Sequence, residues 1–186
     1  KVIGEVGTDI KAGPIDEQEQ RLRFFLDLAG KYDKPVLIHV RDTWDDTFRI
    51  LGDYPGVKAV IHCFTGGQKE AEQCAKLGLL VSFTAIIARP NMETARMVAQ
   101  TWPLDQMMLE TDGPWLAWPK TNENDPEKNG SAVYRSEATG AWPNEPSTVA
   151  KIAQFLADLR GISIEEIAKK TTQTAKQFFG INSLIK

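Results

Sequence analysis

The sequence predicts an α/β fold with a mainly parallel sheet, because short apolar runs alternate with stretches of helical spacing. The apolar runs are often β-branched and bounded by Gly, Pro or charged residues, which is typical of buried parallel strands. The 186 residues are 42% hydrophobic and carry a formal net charge of −3, so apolar side chains suffice for a sizeable core. Together these observations predict one domain over residues 1–186.

The first part of the chain contains five predicted strands with helices between them. The strands are residues 2–6, 35–40, 57–63, 79–85 and 107–109. Apolar residues with a helical spacing predict the first helix around Leu22, Phe25, Leu26 and Ala29 and the second around Trp44, Phe48 and Leu51. Two more helices are predicted over residues 68–77, which end at a glycine, and over residues 92–101.

A long polar segment follows the fifth strand. Residues 117–143 are rich in Asn, Pro, Gly and Lys and have no clear period, so we predict a loop. Helical spacing returns after Pro146, and Ser163 with Glu166 fits a capping box that begins a last helix, which ends at Gly180.

Composition excludes some functions. No apolar run approaches the ~20 residues needed to cross a bilayer, which argues against a membrane role. The pI of about 5.5 argues against a bulk electrostatic nucleic-acid binder. Cys63 and Cys74 form no disulfide framework or CxxC motif, so a reducing, cytoplasmic location is expected.

Candidate functional residues lie at the predicted strand ends. The two histidines of the chain, His39 and His62, each follow an apolar run, and Glu5 and Asp112 occupy matching positions. Because the carboxyl ends of parallel strands meet at one face, we expect these four side chains to converge. Two imidazoles and two carboxylates form a ligand set for divalent metal ions.

Each of these residues also has a structural interpretation. A single histidine at a strand end is more often a hydrogen-bonded structural residue, and Glu5 or Asp112 alone can cap a turn or form an ion pair. Glu110 points to the same face as Asp112 in a regular strand, so spacing leaves the choice between these two acids open. The coincidence of two histidines and two acids favours the metal site.

Five ordered motifs resemble the signatures of TatD-type deoxyribonucleases of the amidohydrolase superfamily. They are GEVGTD at residues 4–9, PVLIHVRD at 35–42, IHCFTG at 61–66, LETDGP at 109–114 and NEP at 144–146. The resemblance spans nearly the whole chain. It implies a (β/α)8 barrel of the TIM-barrel type and a metal-dependent hydrolase, usually a nuclease acting on DNA ends.

The resemblance also implies roles for individual residues. Glu5 corresponds to a carboxylate that bridges two divalent metal ions, and His39 and His62 correspond to ligands of one metal. Asp112 corresponds to the ligand that also transfers protons, so the resemblance favours Asp112 over Glu110. The expected cofactors are two Mg²⁺, Mn²⁺ or Zn²⁺ ions and the expected substrate is DNA, which metal-activated water would attack at phosphorus.

One family signature, a His-x-His pair at the end of the first barrel strand, does not occur in this sequence. A full barrel of this type takes about 250 residues, so we expect about the last five of eight strands here and an N-terminal part that is missing. Both edges of such a sheet would stay open unless an N-terminal segment or a second chain completes the barrel.

Three further side chains have two interpretations each. Arg41 can hold a phosphate through its fork of donors, or it can form an ion pair with Asp42 or Asp45. Trp115 and Trp118 can stack on bases, or they can pack over the mouth of the barrel.

Two alternatives to a deoxyribonuclease remain open. The same metal pair can activate water against an ester, lactone or amide carbon. A non-catalytic binding or scaffold role would fit a chain that truly lacks the His-x-His strand.

Overall fold

The computed structural model describes residues 1–119 and 144–181, in which strands and helices alternate. The strands are β1 (Ile3–Asp9), β2 (Val36–Arg41), β3 (Ala59–Ile61), β4 (Leu80–Phe83) and β5 (Met107–Leu109). The α-helices are α1 (Ile15–Tyr32), α2 (Trp44–Gly52), α3 (Gln68–Lys76), α4 (Glu93–Thr101), α5 (Thr148–Arg160) and α6 (Ile164–Phe179). Two short 3-10 helices cover Ala85–Ala88 and Leu104–Gln106.

The five strands form one parallel sheet in chain order, from β1 to β5. This arrangement confirms the predicted parallel α/β fold. It also brings the carboxyl ends of all five strands to the same edge of the sheet, where the side chains that follow each strand meet.

The predicted strand bounds need correction. β1 continues to Asp9 rather than ending at residue 6, because Gly7, Thr8 and Asp9 pair with β2 although they are small or polar. β3 and β4 are shorter than the apolar runs that predicted them, since apolar residues such as Cys63 continue beyond the last paired residue of the strand.

The core lies between the sheet and the apolar faces of the helices. Its largest fully buried side chains are Leu22, Leu26, Ile38, Ile50, Ile61, Phe64, Phe83, Ile87, Met107, Ile152, Leu156 and Ile167. Complete burial of one such side chain contributes roughly 1.5–3 kcal/mol. This packing fixes the strands, and with them the residues at their carboxyl ends.

The helix ends follow the local sequence. The hydroxyl of Ser163 accepts a hydrogen bond from the backbone N–H of Glu166, as the predicted capping box requires. Gly161 and Gly180 end α5 and α6 with φ of 65°, a left-handed conformation that glycine adopts without strain. No helix among the described residues is long and apolar enough to cross a membrane.

Both edges of the sheet lack a partner strand within residues 1–119 and 144–181, since β1 pairs only with β2 and β5 only with β4.

An apolar cavity of about 420 Å³ lies beside β5 and is lined by residues that include Leu109, Val149 and Ile164. Most of the predicted 117–143 loop, residues 120–143, lies outside the described residues.

Candidate metal centre

Glu5 lies inside β1 rather than after it, at an irregularity in the pairing with β2. The pairing register shifts between Ile3 and Val6, so the strand-end position expected from the sequence is wrong for this residue. One carboxylate oxygen of Glu5 lies 2.8 Å from Nδ1 of His39, and the other lies 3.4 Å from Nε2 of His62. Glu5 therefore stands between the two histidines.

The two histidines come from neighbouring strands. His39 lies near the carboxyl end of β2, and His62 follows β3 directly, where its backbone N–H donates to the carbonyl of Ile38. Their ring centroids are 6.4 Å apart. The parallel pairing of β2 with β3 thus sets the separation of the imidazoles.

Asp112 lies three residues beyond β5, and its Oδ1 is 3.5 Å from Nε2 of His62. Its backbone has φ of 57°, a left-handed conformation that Asp and Asn tolerate better than most residues. The side-chain amide of Asn144 donates to the carbonyls of Thr111 and Trp115, on either side of Asp112. These two hydrogen bonds fix the turn that carries the Asp112 carboxylate.

The donor set fits a divalent cation. One ligand atom each from Glu5, His39 and His62 lies within 4.8 Å of the others. Two imidazole nitrogens and a carboxylate oxygen suit Zn²⁺ and other first-row divalent metals. Asp112 adjoins this three-residue cluster through its contact with His62.

The charges of these groups stabilise one another. The hydrogen bond between Glu5 and His39 lowers the pKa of Glu5 and raises the pKa of His39. Burial opposes a charge on His62, yet the hydrogen bond to Glu110 and the nearby carboxylates raise the pKa of His62. Burial raises the pKa of Asp112, as suits a carboxylate that accepts a proton.

Two more acids contact the outer sides of the histidine rings. Oε2 of Glu110 lies 2.7 Å from Nδ1 of His62, the nitrogen that faces away from Glu5. Oδ2 of Asp9 lies 3.4 Å from Nε2 of His39. Sequence reasoning considered Glu110 only as a rival of Asp112 and did not single out Asp9. The position of Asp9 inside the first motif was the only signal for it.

Arg41 ends β2 and lies across from Asp9 of β1, with which it is paired in register. Its Nη1 is 4.0 Å from the Asp9 carboxylate, and its side chain is 52% exposed. Of the two interpretations of Arg41, the ion pair with Asp42 or Asp45 is not observed among the described residues, because the strand register places Arg41 opposite Asp9. Asp45 contacts Lys69 instead.

The two tryptophans after β5 differ in their surroundings. The ring of Trp118 packs edge-on against Phe155 of α5, with 5.9 Å between centroids, which agrees with the packing interpretation. Trp115 is 45% exposed beside the turn that carries Asp112.

Comparisons with known proteins show which family this chain resembles. The family model of TatD related DNases matches residues 1–180. The chain is 30% identical over 185 residues to a protein named uncharacterized metal-dependent hydrolase YcfH of Escherichia coli strain K12, covering 97% of this chain and 63% of YcfH. It is 33% identical over 186 residues to the 3'-5' ssDNA/RNA exonuclease TatD of Erwinia amylovora, covering 96% of this chain and 66% of that protein.

A solved structure shows the same fold. The crystal structure of YJJV, a TatD homolog from Escherichia coli K12, matches with a TM-score of 0.78 and 26% identity, over 96% of this chain and 63% of that one. This chain thus spans slightly under two thirds of the length of YcfH and YJJV. The matches to the family model and to these relatives lead to one conclusion: the chain belongs to the TatD related DNase family.

Proposed function

We propose that this chain carries the metal centre of a hydrolase that cleaves phosphodiester bonds in DNA, in the manner of an exonuclease. The observation that supports the proposal best is the cluster of Glu5, His39 and His62, with ligand atoms within 4.8 Å of one another. Membership of the TatD related DNase family agrees with it.

In this proposal, Glu5, His39 and His62 hold one divalent ion, and Glu5 and Asp112 contribute to a second position. A bound divalent ion supplies a water of lowered pKa and neutralises charge on the phosphate. Asp112 accepts the proton of the attacking water and returns it to the leaving oxygen. Mg²⁺, Mn²⁺ and Zn²⁺ are the candidate ions.

Arg41 is the proposed phosphate ligand. Its side chain is half exposed at the same end of the sheet as the metal cluster, and its only ion pair among the described residues is the long one with Asp9. A guanidinium can bind phosphate oxygens through two parallel N–H donors. The relative from Erwinia amylovora is named for activity on single-stranded DNA and RNA, which supports a nucleic-acid substrate here.

Hydrolysis assays test this proposal. End-labelled single-stranded DNA, a nitrophenyl phosphodiester, a nitrophenyl ester and a lactone are each incubated with the protein and one added divalent metal. The proposal predicts stepwise shortening of DNA from one end, which stops when the metal is chelated. Preferential hydrolysis of the ester or lactone would favour the other amidohydrolase chemistry, and no hydrolysis with bound metal would favour a binding role.

Two arginine variants test the substrate contact. Arg41→Ala should raise KM for DNA more than it lowers kcat. Arg49→Ala is the matched control, because Arg49 lies on α2 and pairs with Glu19 and Asp46 away from the metal cluster. Equal effects of both changes would remove Arg41 from the substrate site.

We also propose that further strands, from an N-terminal segment or from a second chain, pair with the two open sheet edges. A cytoplasmic setting is proposed because both cysteines are free thiols.

A further inference from the structure

Glu110 is surrounded by hydrogen-bond partners behind the metal cluster. Its Oε1 accepts from the backbone N–H of Cys63 at 2.7 Å and from the hydroxyl of Ser82. Its Oε2 lies 2.7 Å from Nδ1 of His62. The carboxylate thus joins the ends of β3, β4 and β5, and both of its oxygens are engaged.

These contacts determine where the proton of His62 resides. An ionised carboxylate only accepts hydrogen bonds, so the short contact with Glu110 requires a proton on Nδ1 of His62. In the neutral ring the lone pair is then on Nε2, which lies 3.4 Å from Glu5 and 3.5 Å from Asp112. We infer that Glu110 is a positioning residue that fixes His62 in the Nδ1–H tautomer and directs the Nε2 lone pair towards the metal cluster.

This inference deepens the proposed function and rests on the proposed metal cluster. A histidine that binds a metal commonly donates its other N–H to a carboxylate, which fixes the tautomer and the ring orientation. Glu110 therefore acts through His62 rather than on substrate. Nothing in this role requires Glu110 to be a ligand itself.

His39 serves as an internal control for the effect of Glu110 on His62. Its Nδ1 faces Glu5 at 2.8 Å, and its Nε2 lies 3.4 Å from Asp9. The two rings thus present opposite nitrogens to Glu5. Because no contact of Glu110 involves His39, a change at Glu110 should alter the tautomer of His62 alone.

Replacing Glu110 with glutamine makes a specific prediction. The backbone N–H of Cys63 can only donate a hydrogen bond, so the single oxygen of the glutamine must face Cys63 and Ser82 to accept from them. The amide NH₂ then faces Nδ1 of His62 and donates to it. The ring proton must move to Nε2, which removes the lone pair that faces Glu5.

The tautomers are measured by long-range ¹H–¹⁵N NMR on the metal-free protein, at a pH above the titration of both rings. His39→Gln and His62→Gln variants assign the signals of the two rings. The unaltered protein should show His62 as Nδ1–H, and Glu110→Gln should show it as Nε2–H. Titration with Zn²⁺ alone should show a roughly 10–100-fold weaker affinity for Glu110→Gln.

Ser82→Ala is the matched control. It removes one donor to Glu110 but leaves the N–H of Cys63, so the tautomer of His62 and the Zn²⁺ affinity should stay unchanged. An Nε2–H tautomer of His62 in the unaltered protein would overturn the inference, even if Glu110→Gln failed to fold. A Glu110→Gln protein that keeps both the Nδ1–H tautomer and the Zn²⁺ affinity would also overturn it.

The experiment separates this inference from the proposed function. An unaltered protein that binds no Zn²⁺ would contradict the metal centre. The NMR result would then still show whether Glu110 sets the tautomer of His62.

Discussion

His39 and His62 are the same residue type on neighbouring strands, yet they present different ring nitrogens to Glu5. Their outer partners differ as well, since Glu110 contacts Nδ1 of His62 whereas Asp9 faces Nε2 of His39. At the scale of single residues, the cluster is therefore defined by the carboxylates on both sides of each ring. Loss of an outer carboxylate should affect metal binding without removing a ligand.

Asp112→Asn tests the proposed proton acceptor. Asparagine keeps the volume and tolerates the left-handed backbone at this position, so the variant should fold normally. Turnover of DNA should fall about 10²–10⁴-fold, because the amide cannot accept the proton. The measurements are kcat, bound metal and thermal unfolding.

Asp42→Asn is the control for that change, since Asp42 also has a left-handed backbone, with φ of 58°. It should leave turnover unaltered. Near-normal kcat in a metal-loaded Asp112→Asn protein would exclude Asp112 as the base.

The pH dependence of metal affinity follows from the histidines. The hydrogen bond to Glu5 raises the pKa of His39 above its ordinary 6.5, and the pKa of His62 is also raised, because the surrounding carboxylates outweigh burial. Metal ligation needs neutral imidazoles, so metal affinity should rise as pH increases from 6.5 through the raised values. Titrations with Zn²⁺ across this range measure it.

The stability of the metal-free protein should show the opposite trend. A raised pKa in the folded state means that protonated histidine stabilises the fold below the unfolded pKa, and that this stability is lost as pH rises through the folded value. The unfolding temperature of the metal-free protein should therefore fall over the pH range in which metal affinity rises. A His39→Gln, His62→Gln double variant should lack this trend, and the same trend in that variant would refute the assignment.

Sequence reasoning singled out His39, His62 and Asp112 from residue type and from their positions after a strand. It also singled out Glu5, which lies inside β1, and the preference for Asp112 over Glu110 came from the family resemblance alone. It did not reveal the roles of Glu110 and Asp9. Their partners are fixed by ring orientation and by the register between strands, which a sequence of residue types does not contain. The contact of Arg41 with Asp9 was missed for the same reason.

Among the secondary-structure elements, the pairing of β1 with β2 positions Glu5, Asp9 and His39 of the metal centre. Gly7 is paired with His39, and a Cβ at Gly7 would lie 1.9 Å from the carbonyl oxygen of His39. The glycine is therefore required for the close approach of the two backbones. This approach places Glu5 and Asp9 of β1 against the ring of His39.

Gly7→Ala should separate β1 from β2 at His39. Overpacking of this kind costs about 1–3 kcal/mol or more, and here the atoms that must move are backbone. The free energy of unfolding by urea should fall, and Zn²⁺ affinity should fall with it. A Gly7→Ala protein with normal stability and metal affinity would contradict this packing.

Gly30→Ala is the control for the glycine change. Gly30 lies in α1, where an added Cβ meets nothing within 4 Å. The change should stabilise the protein by up to about 1 kcal/mol, because alanine favours helix more than glycine does. Zn²⁺ affinity should remain unchanged.

The elements themselves were predictable to different degrees. Helices such as α1 and α2 carry an apolar stripe at helical spacing, and the burial of Leu22 and Leu26 in α1 agrees with it. The second half of β1 was missed because Thr8 and Asp9 carry no strand pattern. Thr8 is nevertheless buried, and its hydroxyl lies within hydrogen-bond distance of Thr43 and Thr47.

At the scale of the whole molecule, the described residues form a five-stranded parallel sheet with an open edge on each side. The apolar cavity lies beside β5, and α1, which carries the exposed Phe24, contacts β1. Unpaired strand edges with apolar neighbours favour association with other strands. The parallel order was predictable from the alternation of strand and helix, and the two open edges were predictable from the count of five strands.

We expect the 186-residue polypeptide, produced by itself, to self-associate or to have poor solubility. Size-exclusion chromatography with light scattering and metal analysis measures both association and bound metal. The second metal position of this polypeptide should bind metal weakly, because Glu5 and Asp112 are the only ligands proposed for that position from this chain. A soluble monomer with two tightly bound metals would contradict this interpretation of the sheet edges and of the ligand set.

The most direct test of the metal centre is anomalous diffraction from crystals of the protein grown with Zn²⁺. The proposed metal centre predicts one strong peak about 2.0–2.2 Å from Nδ1 of His39, from Nε2 of His62 and from a carboxylate oxygen of Glu5. A Zn²⁺ ion bound to Nδ1 of His62, or a fully occupied Zn²⁺ site that involves none of these three residues, would contradict the proposed metal centre.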